Sequence, residues 1–403
     1  MSETLKNLFI LDPSIHFLNH GSFGACPRPV FDTYQAWQRQ LEHQPVQFMG
    51  RELAYHHRQA RQKLAEYLHA NPDDLVFIPN ATYGVNLIAR SLVGYSSSYL
   101  QEGDEILTTD QEYGACDHTW KYLCSKVGAV YKHQSIPFPV SSTEQFIERF
   151  WQGVTPRTKV IYISHITSPT ALRLPVEDIC HRARQSGILT VIDGAHAPGQ
   201  IPLDLEAIGA DFYTGNCHKW MMSPKGAAFL FTRRERRALV EPLIVSWGYG
   251  ANENNSSGSR YVDILEFTGT RDPAAVLTVP AAIQFQADHD WPRVRGECHE
   301  LLGEARRRIE ELIGLPPICP DATEWYAQMA AFPLPACDTA TLQRRLYDEY
   351  RVEVPIIEWG GRYLVRMSVQ GYNTEDDVEV LTTALAALLR ELVDGCSLGT
   401  VIS

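Results

Sequence analysis

The stretch that decides the fold is residues 191–219, which begins V-I-D-G-A-H-A-P-G-Q and ends D-F-Y-T-G-N-C-H-K. A first, largely apolar run over 188–192 ends at Asp193. A second β-prone run over 211–214 leads into polar residues that end at Lys219. Short apolar runs are typical of buried parallel strands, and ligands of such sheets bind at the carboxyl ends of the strands. The two strand ends therefore mark a candidate site.

An acid at the end of one strand and a lysine beyond the next suit one cofactor, pyridoxal phosphate (PLP). Its pyridinium nitrogen needs a carboxylate partner, and its aldehyde needs a lysine amine for a Schiff base. Asp193 and Lys219 are the candidates for these two roles. Taken singly, Asp193 is more often a strand-end cap and Lys219 a solvated surface residue, but their spacing and apolar surroundings favour PLP.

The overall composition limits the classes of protein to which this chain can belong. The chain of 403 residues is long enough for two domains, and 44% hydrophobic with 21% charged residues is typical of a soluble globular protein. A formal net charge of −12 argues against binding to nucleic acids or anionic membranes. No apolar stretch approaches the roughly 20 residues that span a bilayer, and no secretory signal is visible at the N-terminus.

The cysteine and histidine patterns indicate neither disulfides nor a metal. The nine cysteines are scattered and form no C-x-x-C pair, which is typical of reduced thiols. We therefore expect a cytoplasmic protein. The fourteen histidines include no H-E-x-x-H motif, and the sequence predicts no metal site.

A second ligand signal lies at residues 75–90, L-V-F-I-P-N-A-T-Y-G-V-N-L-I-A-R. A strand over 75–78 leads through small polar residues into a helix N-terminus. Free N–H groups and the helix dipole favour an anion there, so this turn is a candidate phosphate cradle. The alternative is an ordinary helix N-cap by Thr82.

Strands alternate with helices from this point to residue 231, which predicts a mostly parallel sheet covered by helices on both faces. A predicted strand over 104–109 is followed by Tyr113, whose ring is a candidate to stack on a flat cofactor. The alternative is a core or surface tyrosine. The final part of the chain mixes short strands with helices, which predicts a smaller α+β domain.

Spaced motifs along almost the whole chain resemble those of one family. They read L-N-H-G-S-F-G, N-A-T-x-x-V-N, D-Q-E-Y-G-A, S-H-I-T-S-P-T, V-I-D-G-A-H-A-P-G, G-N-C-H-K-W, V-S-W-G, E-F-x-G-T-R-D and R-M-S-V-Q-G-Y-N-T-E-D-D. These motifs are similar to those of the class V aminotransferase family of fold-type I PLP enzymes, and within it to the isopenicillin N epimerases.

The resemblance implies an α/β fold in which a mostly parallel seven-stranded sheet is sandwiched by helices and joined to a smaller α+β domain. Residues 1–30 would form an N-terminal segment that packs on the small domain and the active site. Residues 31–265 would form the large PLP-binding domain, and residues 266–403 the small C-terminal domain.

The resemblance also implies a role for each site residue. Lys219 would hold PLP as a Schiff base, Asp193 would pair with the pyridinium nitrogen, and Tyr113 would stack on the ring. Ser168 would lie near the phenolic oxygen, with His196 just behind these groups. The phosphate would be surrounded by Ala81, Thr82, Asn216 and His218, and by Thr270 of a neighbouring subunit.

Substrate binding is assigned to Arg366, which would bind the α-carboxylate, with Asn19 nearby. An arginine offers a planar fork that binds a carboxylate through two hydrogen bonds. The alternative for Arg366 is a surface salt bridge. A phosphate site completed by Thr270 of a second chain makes a homodimer the expected working unit.

The resemblance implies a PLP enzyme acting at Cα of an amino acid or an amino-acid-derived small molecule, with Lys219 and Asp193 as catalytic residues. An isopenicillin N epimerase-like activity is expected. The alternatives are a C–S lyase acting on cysteine or a cysteine conjugate, and an aminotransferase. A cysteine desulfurase is disfavoured because residues 352–366 contain no cysteine. Epimerisation also needs an acid on the opposite face of Cα, which the sequence does not identify.

Two features concern substrate selectivity. Arg173 is a cation that would receive a distal carboxylate or, by default, pair with Glu177 on the following helix. Residues 250–260 are rich in Asn, Ser and Gly, which predicts a surface loop, and its part 252–259 is a candidate selectivity element.

Overall fold

A computed structural model of the chain describes residues 3–94, 99–250 and 256–392. In these ranges it has the strands β1 His16–Phe17, β2 Leu75–Ile78, β3 Glu105–Thr109, β4 Val130–Gln134, β5 Thr158–Ser164, β6 Leu189–Asp193, β7 Phe212–Asn216, β8 Ala228–Thr232, β9 Met329–Leu334, β10 Val352–Glu353, β11 Ile356–Trp359 and β12 Arg362–Ser368.

The α-helices of the same ranges are α1 Glu3–Lys6, α2 His20–Phe23, α3 Arg28–His43, α4 Pro45–Gln47, α5 Leu53–Leu68, α6 Ala81–Val93, α7 Gly114–Val127, α8 Thr143–Trp151, α9 Val176–Gln185, α10 Leu205–Ile208, α11 Arg260–Glu266, α12 Ala274–Leu277, α13 Val279–Asp288, α14 Trp291–Ile313, α15 Thr339–Tyr350 and α16 Glu375–Leu392. A π-helical turn, Phe48–Glu52, joins α4 to α5. No helix in the described part of the chain is both long and apolar enough to cross a membrane.

Seven strands form one sheet in the order β2-β8-β7-β6-β5-β3-β4. Strands β7, β6, β5, β3 and β4 are mutually parallel, whereas β8 is antiparallel to both of its neighbours. The central strands β3, β6 and β7 are buried along their whole length, which is why they read as nearly continuous apolar runs. The predicted mostly parallel seven-stranded sheet is confirmed.

Alternate side chains of the sheet enter two separate apolar clusters. In β5, Val160 and Tyr162 join one cluster with residues of α6 and α7, whereas Ile161 and Ile163 join the other with residues of α5 and α9. Helices therefore cover both faces of the sheet. The carboxyl ends of the parallel strands remain as an edge at which a ligand reaches the sheet.

A smaller antiparallel sheet, in the order β11-β12-β9, forms the core of the C-terminal part. The N-terminal segment is attached to this part, because β1 pairs with β10 in parallel. In addition, the amide of Ser368 in β12 donates to the carbonyl oxygen of Leu18 (2.9 Å). The domain boundaries after residues 30 and 265 stay predictions.

Prolines account for several element boundaries. Helix α3 ends before Pro45, and α4 begins at it. Strands β10 and β11 are separate, because Pro355 between them has no N–H to donate to a ladder. Helices α12 and α13 are likewise separate, and Pro280 lies in the first turn of α13.

Glu266 is a buried carboxylate that ties three elements together at the end of α11. Its Oε2 accepts a hydrogen bond from Nη1 of Arg61 in α5 (2.7 Å), and its Oε1 accepts one from the amide of Phe77 in β2 (3.0 Å). Burial raises the pKa of Glu266, but Arg61 and His57 outweigh burial and the pKa falls below its ordinary value. The carboxylate is therefore ionised and paired.

We expect Glu266→Gln to lower the free energy of unfolding by about 3 kcal/mol, because the buried Arg61 loses its counter-charge. Urea denaturation followed by circular dichroism measures this loss. Glu349→Gln is the matched control, since it removes one partner of the exposed Arg345–Glu349 pair and should change stability little. Equal losses in the two variants would contradict a special role for the buried pair.

Candidate active site

Asp193 and Lys219 meet at the carboxyl edge of the large sheet. Asp193 is the last residue of β6, and Lys219 follows the end of β7, the neighbouring parallel strand. A cavity of about 370 Å³ opens beside them. Its lining includes the predicted residues Ala81, Thr82, Tyr113, Ser168, Asp193, His196, Asn216, His218 and Lys219. The structure thus brings nine of the predicted residues to one cavity.

Asp193 is a buried carboxylate that needs a cationic partner. Its Oδ1 accepts a hydrogen bond from the amide of Ala195 (3.0 Å), and its Oδ2 accepts one from the hydroxyl of Tyr162 (3.2 Å). Burial raises the pKa of Asp193, whereas these donors and the charge of Lys219 lower it. A pyridinium nitrogen is the kind of group that would supply the missing counter-charge, so this carboxylate fits PLP.

Lys219 lines the cavity, and its ammonium form is disfavoured. Burial lowers the pKa of Lys219 to about 7, the charge of Arg366 adds to this effect, and Asp193 opposes it. Its Nζ lies 3.0 Å from Nε2 of His196. A lysine with this pKa is substantially a neutral amine near pH 7, which is the form required of a nucleophile or a base.

The turn before α6 suits an anion. Asn80 caps this helix, because its Oδ1 accepts from the amide of Tyr83 (2.8 Å), so the alternative of a cap by Thr82 is wrong. The amide of Ala81 donates to Oδ1 of Asn216 (2.9 Å), which ties the turn to the end of β7. Thr82 lines the cavity at the first turn of the helix, where N–H groups and the helix dipole favour a phosphate.

Arg366 in β12 is 5% exposed and has no ion-pair partner in the described part of the chain. Its Nη1 donates to the carbonyl oxygen (2.6 Å) and to Oγ (3.1 Å) of Ser168, and its Nη2 donates to Oγ of Ser22 (3.1 Å). Its Nε is buried without a hydrogen-bond partner among the described residues, and burial lowers the pKa of Arg366 to about 10. Buried charges are normally paired, so an anionic ligand group fits here and a surface salt bridge does not.

Three predicted residues, Asn19, Thr270 and Arg366, are not among the described residues that line this cavity. Asn19 donates through Nδ2 to Oε1 of Glu353 (3.0 Å) and accepts through Oδ1 from Oγ of Ser22 (2.6 Å). Asn19 therefore reaches Arg366 only through Ser22. Thr270 is exposed and lies outside the lining of the cavity of its own chain.

Arg173 and residues 256–259, the described part of the predicted selectivity loop, are not in the cavity lining either. Arg173 forms a β-bridge with Ile166, and the predicted ion pair with Glu177 is absent from the described residues. Of the predicted loop 252–259, the part up to residue 255 lies outside the described residues.

Sequence reasoning missed several side chains that contact the predicted ones. Ser22 holds Arg366 and Tyr162 holds Asp193, as described above. Glu112 accepts hydrogen bonds from the amide (2.9 Å) and Oγ (2.6 Å) of Ser164, and burial raises the pKa of Glu112 to about 7. Ser22 and Glu112 lie within two of the motifs quoted above, L-N-H-G-S-F-G and D-Q-E-Y-G-A. Their position in these motifs could have identified them as candidate site residues. Lys225, which also lines the cavity, carried no such signal.

We expect the cofactor-free protein to form its Schiff base with PLP at a rate that rises through about pH 7 and levels off above it. The neutral amine of Lys219 is the attacking form, and its pKa lies near 7 rather than near the ordinary lysine value. Stopped-flow absorbance against pH measures this rate, and Lys219→Ala is the blank. A rate that keeps rising towards pH 10 would contradict the lowered pKa.

Comparison with known proteins places these features in a family. The Aminotransferase class-V family model matches residues 24–381. The isopenicillin N epimerase of Amycolatopsis lactamdurans is 39% identical, over 94% of this chain and 96% of its own length. The isopenicillin N epimerase of Streptomyces clavuligerus is 34% identical, over 96% and 98%. A probable chloroplastic L-cysteine desulfhydrase of Arabidopsis thaliana is 28% identical, over 94% and 84%.

Solved structures show the same fold. The apo cysteine desulfurase of Thermococcus onnurineus NA1 superposes with a TM-score of 0.82 at 20% identity, over 97% of this chain and 99% of that one. A C-DES mutant with glycine covalently linked to its PLP cofactor superposes with a TM-score of 0.77 at 19% identity, over 93% and 97%. With the family match and the site geometry, the chain belongs to the class V aminotransferase family and is a PLP-dependent enzyme of fold type I.

Proposed function

We propose that this enzyme removes the Cα proton of an amino-acid substrate and inverts Cα, as an amino-acid epimerase. The observation that carries the substrate class is the buried guanidinium of Arg366, which has no acidic partner in the described residues. Its charge acts directly on Lys219, whose pKa it helps to lower. An amino acid bound by its α-carboxylate at Arg366 would place Cα near Lys219.

Each side chain of the site would have a separate role in this reaction. Bound PLP would supply the electron sink for the carbanion at Cα. Asp193 would keep the ring nitrogen charged, and the neutral amine of Lys219 would take the Cα proton. Ser22 and Ser168 hold the guanidinium of Arg366 by hydrogen bonds, which would orient the substrate and lower the cost of reaching the reactive geometry.

Inversion requires a proton donor on the face of Cα opposite Lys219. Among the described residues that line the cavity, the titratable side chains other than Asp193, His196 and Lys219 are Tyr113, His218 and Lys225. Burial lowers the pKa of His218 to about 4, so His218 is neutral at pH 7. Tyr113 and Lys225 are therefore the candidates for the opposite-face donor.

Sequence identity supports the epimerase over the alternatives. The two isopenicillin N epimerases are 39% and 34% identical to this chain, whereas the probable desulfhydrase is 28% identical. Each epimerase is also matched over nearly its whole length. A preserved length together with a higher identity favours a similar substrate pocket.

A C–S lyase acting on cysteine or a cysteine conjugate is the second candidate, because desulfhydrases are also relatives. This reaction would use Arg366, Lys219 and Asp193 in the same roles and needs no protein thiol. A cysteine desulfurase is disfavoured, since no cysteine stands among the described residues that line the cavity. Cys217, beside Lys219 in sequence, is fully buried, and burial raises the pKa of its thiol.

We expect the PLP-loaded enzyme in D₂O to exchange Cα–H of its amino-acid substrate for deuterium with inversion and without keto-acid formation. The reason is that a proton taken by Lys219 equilibrates with solvent, while the proton returned on the opposite face also comes from solvent. Proton NMR with chiral chromatography measures both events on a panel of L-amino acids, cysteine conjugates and a tripeptide penicillin side-chain mimic.

Lys219→Ala is the control and should show no exchange. Pyruvate together with a released thiol would assign the protein to the lyases instead. A keto acid with a retained side chain would indicate an aminotransferase.

We also propose that the working unit is a homodimer in which Thr270 approaches the phosphate in the site of the second chain. Thr270 is exposed in its own chain and lies outside the cavity of that chain. Large apolar side chains on the segment before residue 251 are exposed as well, including Val245, Tyr249 and Trp247, which is 80% exposed. Exposed apolar surface of this kind is typical of a contact with another protein surface.

We expect a solution mass of twice 45.5 kDa by light scattering. Thr270→Ala should weaken PLP binding while leaving the dimer intact, because it removes one hydroxyl from the phosphate site. A hybrid of Lys219→Ala and Thr270→Ala chains contains one site with both native residues, so its PLP titration should show one tight site per dimer. A monomer, or a hybrid without any tight site, would contradict a shared site.

A further inference from the structure

We propose that Trp220 is a positioning residue: its indole locks His196 in the tautomer that is protonated on Nε2, and His196 thereby holds Lys219 as a neutral amine. The proposal uses the role of Lys219 as the base at Cα, which is part of the proposed function. Its first test does not depend on turnover of any substrate.

The indole of Trp220 determines what Nδ1 of His196 does. Trp220 is fully buried, and its Nε1 donates a hydrogen bond to Nδ1 of His196 (3.4 Å). An indole N–H is a donor and never an acceptor, so Nδ1 has to be the unprotonated nitrogen. Burial lowers the pKa of His196 well below its ordinary value, so the ring is neutral. The single ring proton is therefore on Nε2.

Nε2 of His196 faces Nζ of Lys219 at 3.0 Å. Because Nε2 carries the proton, His196 donates, and Lys219 accepts only as a neutral amine, since an ammonium group has no lone pair. When Lys219 takes a proton, two donors face each other. His196 thus stabilises the neutral amine of Lys219 and disfavours its protonated ammonium form. Since Nδ1 is blocked by the indole, His196 does not pass the proton onward.

The other charged groups near this pair leave the tautomer unchanged. Besides burial, the charge of Arg366 lowers the pKa of Lys219, whereas Asp193 and Cys116 raise it. His196 faces Arg366, and His218 and His20 also lie near it. Those two histidines use their own nitrogens elsewhere: His20 contacts the hydroxyl of Tyr372 (3.0 Å) and the carbonyl oxygen of Lys219 (3.1 Å), and His218 contacts the carbonyl oxygen of Ala227 (3.3 Å).

The indole is held firmly in this position. The ring of His20 packs against it, with the ring centroids 4.9 Å apart. The chain at Gly199 passes so close that a Cβ there would collide with the backbone of Trp220, and Gly199 has a φ of +88°, in the left-handed region. Because the indole is fixed, its hydrogen bond to Nδ1 of His196 is maintained.

The first test is ¹⁵N NMR of the histidine ring in the folded, full-length enzyme, with and without PLP, and with His196 assigned by comparison with His196→Gln. We expect an unprotonated Nδ1 and a protonated Nε2 on both sides of pH 7. A proton on Nδ1, or a doubly protonated ring, would overturn the proposal. This measurement needs no Trp220 variant, so it stands if such a variant fails to fold.

The second test is Trp220→Phe, which keeps an aromatic ring but removes the donor. His196 is then free to protonate on Nδ1 and accept from the ammonium of Lys219. We expect the pKa of Lys219 to rise by about one unit, a tenfold decrease of neutral amine at a given pH below it. The pH dependence of Schiff-base formation between PLP and the cofactor-free chain measures the shift.

Trp291→Phe is the matched control, because Trp291 is equally buried and its Nε1 has no hydrogen-bond partner in the described residues. It should leave the pKa of Lys219 unchanged. A folded Trp220→Phe with an unchanged Lys219 pKa would overturn the proposal. If the tautomer and the shift are as expected but no amino acid exchanges its Cα proton, the proposed function fails and the positioning role stands.

Discussion

The site depends on the cost of burying charge at the carboxyl edge of a sheet that is covered on both faces. Three ionisable groups meet there, Asp193, Lys219 and Arg366. Burial raises the pKa of Asp193 and lowers those of Lys219 and Arg366. The same physical effect therefore favours a neutral amine at Lys219 and leaves the guanidinium of Arg366 without a counter-charge in the described residues. Charged groups of a ligand would supply the counter-charges that these buried side chains lack in the described residues.

Hydrogen bonds from distant parts of the chain decide how each of these groups is used. Asp193 is held by Tyr162, Arg366 by Ser22 and Ser168, and Lys219 by His196. These partners lie between 23 and 344 positions away in sequence. Groups fixed in advance by such partners do not have to reorganise during a reaction, which is the main way in which a protein environment lowers a barrier.

The N-terminal segment belongs to the site and to the C-terminal part at once. It pairs with β10 through β1, supplies Ser22 to Arg366, and places His20 against Trp220 and the carbonyl oxygen of Lys219. The site is therefore assembled only when the two ends of the chain have met.

Local sequence patterns predicted the alternation of strands and helices, the position of Asp193 and Lys219 at one edge of the sheet, and the polar turn before α6. These follow from local periodicity and from the rule that parallel strands present their carboxyl ends together. The fold was needed to show that Asn80 caps α6, that Arg366 is buried without an acidic partner in the described residues, and that the indole of Trp220 contacts Nδ1 of His196. Burial and the choice of hydrogen-bond partner depend on residues far apart in the chain, and no local pattern encodes them.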